Sequence, residues 1–262
     1  MTRFSGYAVL VTGAGQGIGE AIARRVAAEG ARVLVTDRGG GRAEHAAGAI
    51  GAAAGAAATL EFGGTDSAAV RAAIAYAAEN FGGLHVLVNN AYAAHPDPPR
   101  FESGQEPPWY EDFEVTLHGA ARCARTALPL LAAAPGRAAI VNIGSVNAER
   151  HYGGHAYSAA KAALVSLTRT LAVESAARGV RVNLVEPGTV RTAVWAERPE
   201  ALARLAGHYP LGRVGEPDDV AAAVAFLASR DAAWITGVSL PVDGGLLASH
   251  LAMSRDIADS EA

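Results

Sequence analysis

Six short apolar runs, most of them rich in valine, set the terms for how this chain can fold. They are "YAVLVT" at 7–12, "ARVLVTD" at 31–37, "LHVLVNN" at 84–90, "AAIVNIG" at 138–144, "VRVNLVE" at 180–186 and "VSLPVDG" at 238–244. None alternates polar and apolar residues, the pattern of a strand with one wet face, so each reads as a strand covered on both sides. Segments long enough for helices lie between them, at 17–29, 67–80, 109–134, 156–178 and 217–229. That alternation predicts an α/β fold, a doubly wound parallel sheet with helices on both faces. A chain of 262 residues that is 50% hydrophobic can bury such a core in a single domain, 1–262. Proline-rich 94–109 reads as a loop inside the alternation, and alanine-rich 43–58 as compositional bias.

Charge and composition exclude several functions. A formal net charge of -4 and a pI near 6.1, with arginines scattered along the chain, leave no electrostatic footprint for nucleic acid. The one cysteine, Cys123, excludes a disulfide framework and a multi-cysteine metal site, and reads as a small buried hydrophobe. No apolar run reaches the ~18 residues of a membrane span. "MTRFSGYAVLVTGAG" is a first strand and turn rather than a signal peptide, so a soluble, cytoplasmic protein is expected.

"TGAGQGIG", Thr12 to Gly19, closes the first strand and opens the first helix. Glycines there let the backbone turn tightly and approach a pyrophosphate, which free N–H groups and the positive end of the helix stabilise. The spacing of Gly13, Gly17 and Gly19 is G-x-x-x-G-x-G, and a tight turn alone needs no ligand. Asp37 ends the second strand 18 residues beyond Gly19, near the ~20 expected of an acid that accepts from the ribose hydroxyls of NAD. A carboxylate there repels the extra phosphate of NADP, and Gln16 in the turn offers no cation, so NAD is favoured; Arg38, next to Asp37, pulls the other way.

"YSAAK" holds the only lysine of the chain, Lys161, among 22 basic residues. Tyr157 and Lys161 are four apart at the head of a predicted helix and share a face. A neighbouring ammonium favours the phenolate, lowering the phenol from its reference pKa of ~10 toward working pH. Such a pair can pass a proton to or from a substrate oxygen while a hydride moves at the adjacent carbon. Ser145, at the end of "AIVNIG", is placed to hold that oxygen. The same residues also fit a helix start with an inward tyrosine and a solvated lysine.

Taken with "TGAGQGIG" and Asp37, these stretches and "NNA" at 89–91, "RVN" at 181–183, "PGTVRT" at 187–192 and "GVSLPVDGG" at 237–245 resemble the short-chain dehydrogenase/reductase family. The resemblance covers roughly residues 5–247 and leaves a C-terminal tail, 248–262. It implies a seven-stranded Rossmann sheet, a nicotinamide cofactor and an alcohol or ketone substrate, with a homotetramer built on the long helices. By the same resemblance Tyr157 is the acid or base, Lys161 holds the ribose and Ser145 the substrate. Cofactor contacts fall on Gly13, Gln16, Gly17, Ile18, Gly19, Asp37, Arg38, Asn90, Ala91, Pro187, Gly188, Val190 and Thr192.

The chain departs from the family pattern at three places. Thr116 in "VTLHGA" replaces an asparagine that anchors a water relay to the lysine, and is carried as a weak catalytic candidate. Tyr92 in "NNAY" replaces a glycine and can wall a substrate pocket. In "FGGTD", Asp66 either contacts adenine or caps the next helix, the cap being favoured. Further substrate candidates are Asn147, His151, Tyr152, His155 and Trp195. "SAAK" also satisfies S-x-x-K of serine acyl enzymes, but the second lysine they need is absent. "HYGGH" imitates a metal pair, but its glycines favour a loop, and no metal is expected. The alternative function is a nucleotide-binding sensor or scaffold with weak catalysis.

Overall fold

The computed structural model describes residues 2–52, 56–62 and 65–251. Val and Ile branch at Cβ and suit a pleated, buried backbone, and the six apolar runs all become strands. They are β1 (Ala8–Thr12), β2 (Arg32–Asp37), β4 (Val86–Asn89), β5 (Ala139–Ile143), β6 (Arg181–Pro187) and β7 (Ser239–Val242). With β3 (Ala56–Glu61) they form one seven-stranded sheet in the order β3-β2-β1-β4-β5-β6-β7, every pairing parallel.

Three neighbouring strands carry the same triplet, Val-Leu-Val, in register. Val9, Leu10 and Val11 pair with Val33, Leu34 and Val35 on one side and with Val86, Leu87 and Val88 on the other. Successive side chains point to opposite faces of a sheet, so the valines and leucines part company. The valines pack with Ile22 and Val26 of α1 (Gly17–Ala28) and Val220 and Val224 of α8 (Pro217–Ala228). The leucines pack with Val70 and Ile74 of α3 (Ser67–Phe81) and Ala127 and Leu131 of α5 (Gly119–Ala132). Each such side chain withdrawn from water contributes ~1.5–3 kcal/mol before entropy is set against it.

The structure corrects two readings of the sequence. The alanine-rich stretch is structural: α2 (Gly40–Ala52) and β3 complete the first half of the sheet. Alanine's high helix propensity and the lack of larger apolar residues explain why neither element shows a clear period. The expected helix at 109–134 begins earlier, as α4 (Glu106–Phe113) with prolines in its first turn, and continues into α5 through a π-helical turn at Glu114–His118. The other helices are α6 (His155–Ala176) and the short α7 (Pro199–Leu205).

Strand order reverses between β1 and β4, and at such a switch point a crevice opens beyond the carboxyl ends of the strands. Gly13, Asp37, Asn90, Ser145 and Pro187 all stand at or just beyond those ends.

Candidate active site

Gly13 adopts φ +62 and Gly17 φ +59, in the left-handed region where a side chain is strained. A Cβ on Gly19 would lie 2.4 Å from the Gly13 carbonyl oxygen, so helix α1 can approach the turn only as glycine. Gln16 is the N-cap of α1 and makes no side-chain cap bond, which leaves the first-turn N–H groups of the helix to a ligand or water. The Asn90 amide donates to the carbonyls of Thr12 and Gly13, both at 2.9 Å, and fastens the turn to the end of β4.

Asp37 is buried and accepts from Gly15 N at 3.2 Å, Gly39 N at 2.9 Å and Arg42 Nη2 at 2.7 Å. A carboxylate has about four acceptor positions, so one remains for a hydroxyl. The cation beside it is therefore Arg42, five residues on, a residue the sequence reading did not single out. Arg38 lines the same crevice.

Two asparagines fasten helix α6 to the sheet. Asn89 Nδ2 donates to Asn142 Oδ1 at 2.9 Å, and Asn142 Nδ2 donates to Thr168 Oγ1 of α6 at 2.8 Å. Its N-terminus begins on Gly154, which has no side chain to cap it. Asp97, from the loop after β4, supplies the acceptors instead, taking Gly154 N at 2.6 Å and His155 N at 2.7 Å. Nothing in the local spacing around Asp97 announces a partner 57 residues away.

On that helix Tyr157 and Lys161 face the crevice with Ser145. Ser145 Oγ donates to Asn147 Oδ1 and accepts from Asn147 N, each at 3.2 Å. The Asn147 amide in turn donates to Gly153 O at 2.8 Å and Ser158 Oγ at 3.1 Å, joining the serine to the start of α6. Lys161 Nζ donates to Ile143 O at 2.5 Å and lies 5.5 Å from the centroid of the Tyr157 ring. Burial pushes the Tyr157 phenol up to about 12, against a hydrogen bond with Ser145 that pulls it down. Burial also draws the Lys161 ammonium down to about 7. In the protein alone the phenol is raised rather than lowered, because both groups lose water on burial.

The remaining candidates divide. Ile18, Ala91, Gly188, Val190 and Thr192 line the crevice, as do Tyr92, Asn147, Tyr152 and Trp195. Other candidates stand outside the lining. His151 is exposed and outside the lining. His155 packs on Phe101, ring centroids 5.5 Å apart, and also lies outside it. Asp66 caps α3, accepting from Ala68 N at 2.7 Å, and does not reach the crevice. Gly63 and Gly64 of "FGGTD" and residues 252–262 of the tail lie outside the described residues. The Thr116 hydroxyl, in the π-helical turn, is engaged with the Ala93 backbone, accepting from its N–H at 3.2 Å and donating to its carbonyl at 3.4 Å.

One further group escaped the sequence reading. His95 Nδ1 pairs with the buried Asp112 at 2.7 Å, and its Nε2 lies 3.4 Å from Glu111, giving the crevice a polar stretch of wall. Tyr209 is buried and its hydroxyl accepts from Thr189 N at 2.7 Å, steadying the "PGT" loop. The whole crevice encloses about 1460 Å³, room for a dinucleotide and a small molecule together.

The chain is similar to known proteins in sequence and in fold. The family described as enoyl-(acyl carrier protein) reductase matches residues 13–247. The cis-4-hydroxycyclohexanecarboxylate dehydrogenase of Sinomonas cyclohexanicum is 41% identical over 94% of this chain and 98% of its own. The meso-2,3-butanediol dehydrogenase of Serratia marcescens is 38% identical over 94% and 97%. A crystal structure assigned to the short-chain dehydrogenase/reductases, from Burkholderia xenovorans, superimposes with a TM-score of 0.88 at 35% identity, covering 95% of this chain and 99% of that one. The chain belongs to the short-chain dehydrogenase/reductase family of oxidoreductases.

Proposed function

We propose that the protein interconverts a secondary alcohol and a ketone with NAD as the redox partner. The observation that carries this reading is the meeting of Ser145, Tyr157 and Lys161 in one crevice with the glycine turn and Asp37. The residues present fit a dinucleotide: uncapped N–H groups at the head of α1, a turn that only glycine can make, and a free acceptor position on Asp37. When bound, NAD supplies the hydride acceptor and, in its oxidised form, a positive charge.

The chain's own groups do the rest. Ser145 exchanges its bond to Asn147 for one to the substrate oxygen. Tyr157, protonated at neutral pH, donates to that oxygen in ketone reduction and takes the proton back in alcohol oxidation. Lys161 holds the ribose and, while charged, favours the phenolate that oxidation requires. The polar wall of His95 and Glu111 suits an alcohol that carries a further polar group, in keeping with the diol and hydroxy acid named for the two relatives. Four copies would assemble through α5, α6 and β7.

The cofactor assignment is tested by kcat/KM with NAD and NADP. Wild type should prefer NAD, and Asp37→Ala should lose that preference by ~10-fold or more, because Arg42 is then free to receive the extra phosphate. A wild type that prefers NADP overturns the assignment.

A further inference from the structure

Tyr92 follows Ala91 on the loop beyond β4, and its ring faces two groups at once. Its centroid lies 5.8 Å from that of Tyr157, the planes inclined at 64°, and 5.5 Å from Lys161 Nζ. Tyr157 sets its own ring centroid at the same 5.5 Å from that nitrogen. The ammonium is therefore within reach of two aromatic faces.

Lys161 needs such neighbours. It is 2% exposed and forms no ion pair with any described residue. Of its three N–H donors, Ile143 O takes one. Burial lowers its pKa to about 7, and no charged side chain contributes to that shift. An aromatic face within about 6 Å attracts a cation through the ring quadrupole, more strongly where water is excluded.

We propose that Tyr92 is a positioning residue whose ring face holds the Lys161 ammonium in place and favours its charged form. It acts on the proton chemistry chiefly through the lysine, and by its edge contact with the Tyr157 ring it also helps to raise that phenol. The groups that face Lys161 are Tyr157 from its own helix, the Ile143 carbonyl from β5 and Tyr92 from the loop beyond β4. Tyr92 is half-exposed, and the water it does lose raises its phenol, so the hydroxyl stays neutral and the ring is the part that acts. The proposal rests on the reading of the active site only for its effect on turnover; the effect on the lysine stands apart from it.

The composition of the chain provides the test. Lys161 is the only lysine, so protein grown on lysine labelled with carbon-13 at Cε gives one lysine resonance. This is titrated in wild type, Tyr92→Phe and Tyr92→Leu. Wild type should show a ring-current displacement of that signal, and Tyr92→Phe should keep both the displacement and the midpoint. Tyr92→Leu should lose part of the displacement and lower the midpoint by ~0.5–1 pH unit. In alcohol oxidation, which needs the Tyr157 phenolate, the acid limb of the rate profile should move to higher pH in the leucine variant alone, because a lysine that loses its charge earlier favours that phenolate less.

A wild-type signal without displacement, or a leucine variant that titrates like wild type, overturns the proposal. So does a phenylalanine variant that behaves like leucine, since the hydroxyl would then be the active part. Should Tyr92→Leu fail to fold, Tyr92→Met, which also removes the ring, takes its place with the same expected loss of displacement and lowered midpoint. Absence of turnover with every alcohol would count against the proposed function and leave the resonance test standing.

Discussion

Ser145 can do its work only if its hydroxyl is aimed, and the aim comes from Asn147. One amide side chain touches the serine, the Gly153 carbonyl and Ser158, so it sets the distance between β5 and the head of α6. Replacing Asn147 with Ala removes three hydrogen bonds at once and should lower kcat ~10-fold or more while KM for NAD stays near its wild-type value, read by steady-state kinetics. An unchanged kcat would show that Ser145 is held by its backbone alone. At this scale the sequence was most legible where one residue type suffices. A lone lysine four residues after a tyrosine marks a helix face by spacing. Asn147 in the same sequence reads as a substrate contact; its hold on the head of α6 leaves no local pattern, since its partners are a carbonyl six residues on and a hydroxyl eleven on. Asp97 and Arg42 were missed for the same reason: each acts through a partner that the fold, rather than the spacing, brings near.

The strands carry the clearest correspondence between sequence and structure. Three Val-Leu-Val triplets in register make one face of the sheet valine and the other leucine, and their uninterrupted apolarity is what makes the runs visible in the sequence. Helix α2 and strand β3 were not visible, since alanine fits either element and the decision falls to packing. Strand β6 carries a buried carboxyl near its end. Glu186, next to its last residue, is buried, and its Oε1 has no hydrogen-bond partner. Burial first, and then the neighbouring Glu149, raise its carboxyl from 4.5 to about 7. The native state therefore keeps a proton that the unfolded chain releases near pH 4.5, and stability falls as pH rises from there to about 7. Glu186→Gln removes that penalty: by denaturant unfolding it should stabilise the protein by about 1–3 kcal/mol at pH 8 and by little at pH 4. Equal effects at both pH values would show that the carboxyl titrates normally.

The whole molecule leaves several large apolar side chains in water. Trp234 is 99% exposed just before β7, Val173 on α6 is 80% exposed, and Phe226 on α8 is partly so. β7 is one edge of the sheet, half-exposed and carrying Pro241, which has no N–H to offer another strand. These faces suit the proposed four-copy assembly. Sedimentation should give wild type four times the 26.7 kDa of one chain and Val173→Asp a smaller species; a monomeric wild type would refute the assembly. Among the described residues no helix is long and apolar enough to cross a membrane.

Residue, strand and assembly serve one claim, that Tyr157 exchanges a proton with a substrate oxygen beside a bound nicotinamide. The direct measurement is the absorbance of reduced nicotinamide while purified protein meets NAD and a panel of secondary alcohols and diols, with Tyr157→Phe run beside it. Turnover in wild type and a loss of at least ~100-fold in the variant, with NAD binding retained, is the expected result. Binding of NAD without turnover of any alcohol, or turnover that survives in Tyr157→Phe, would contradict it and leave a nucleotide sensor as the better account.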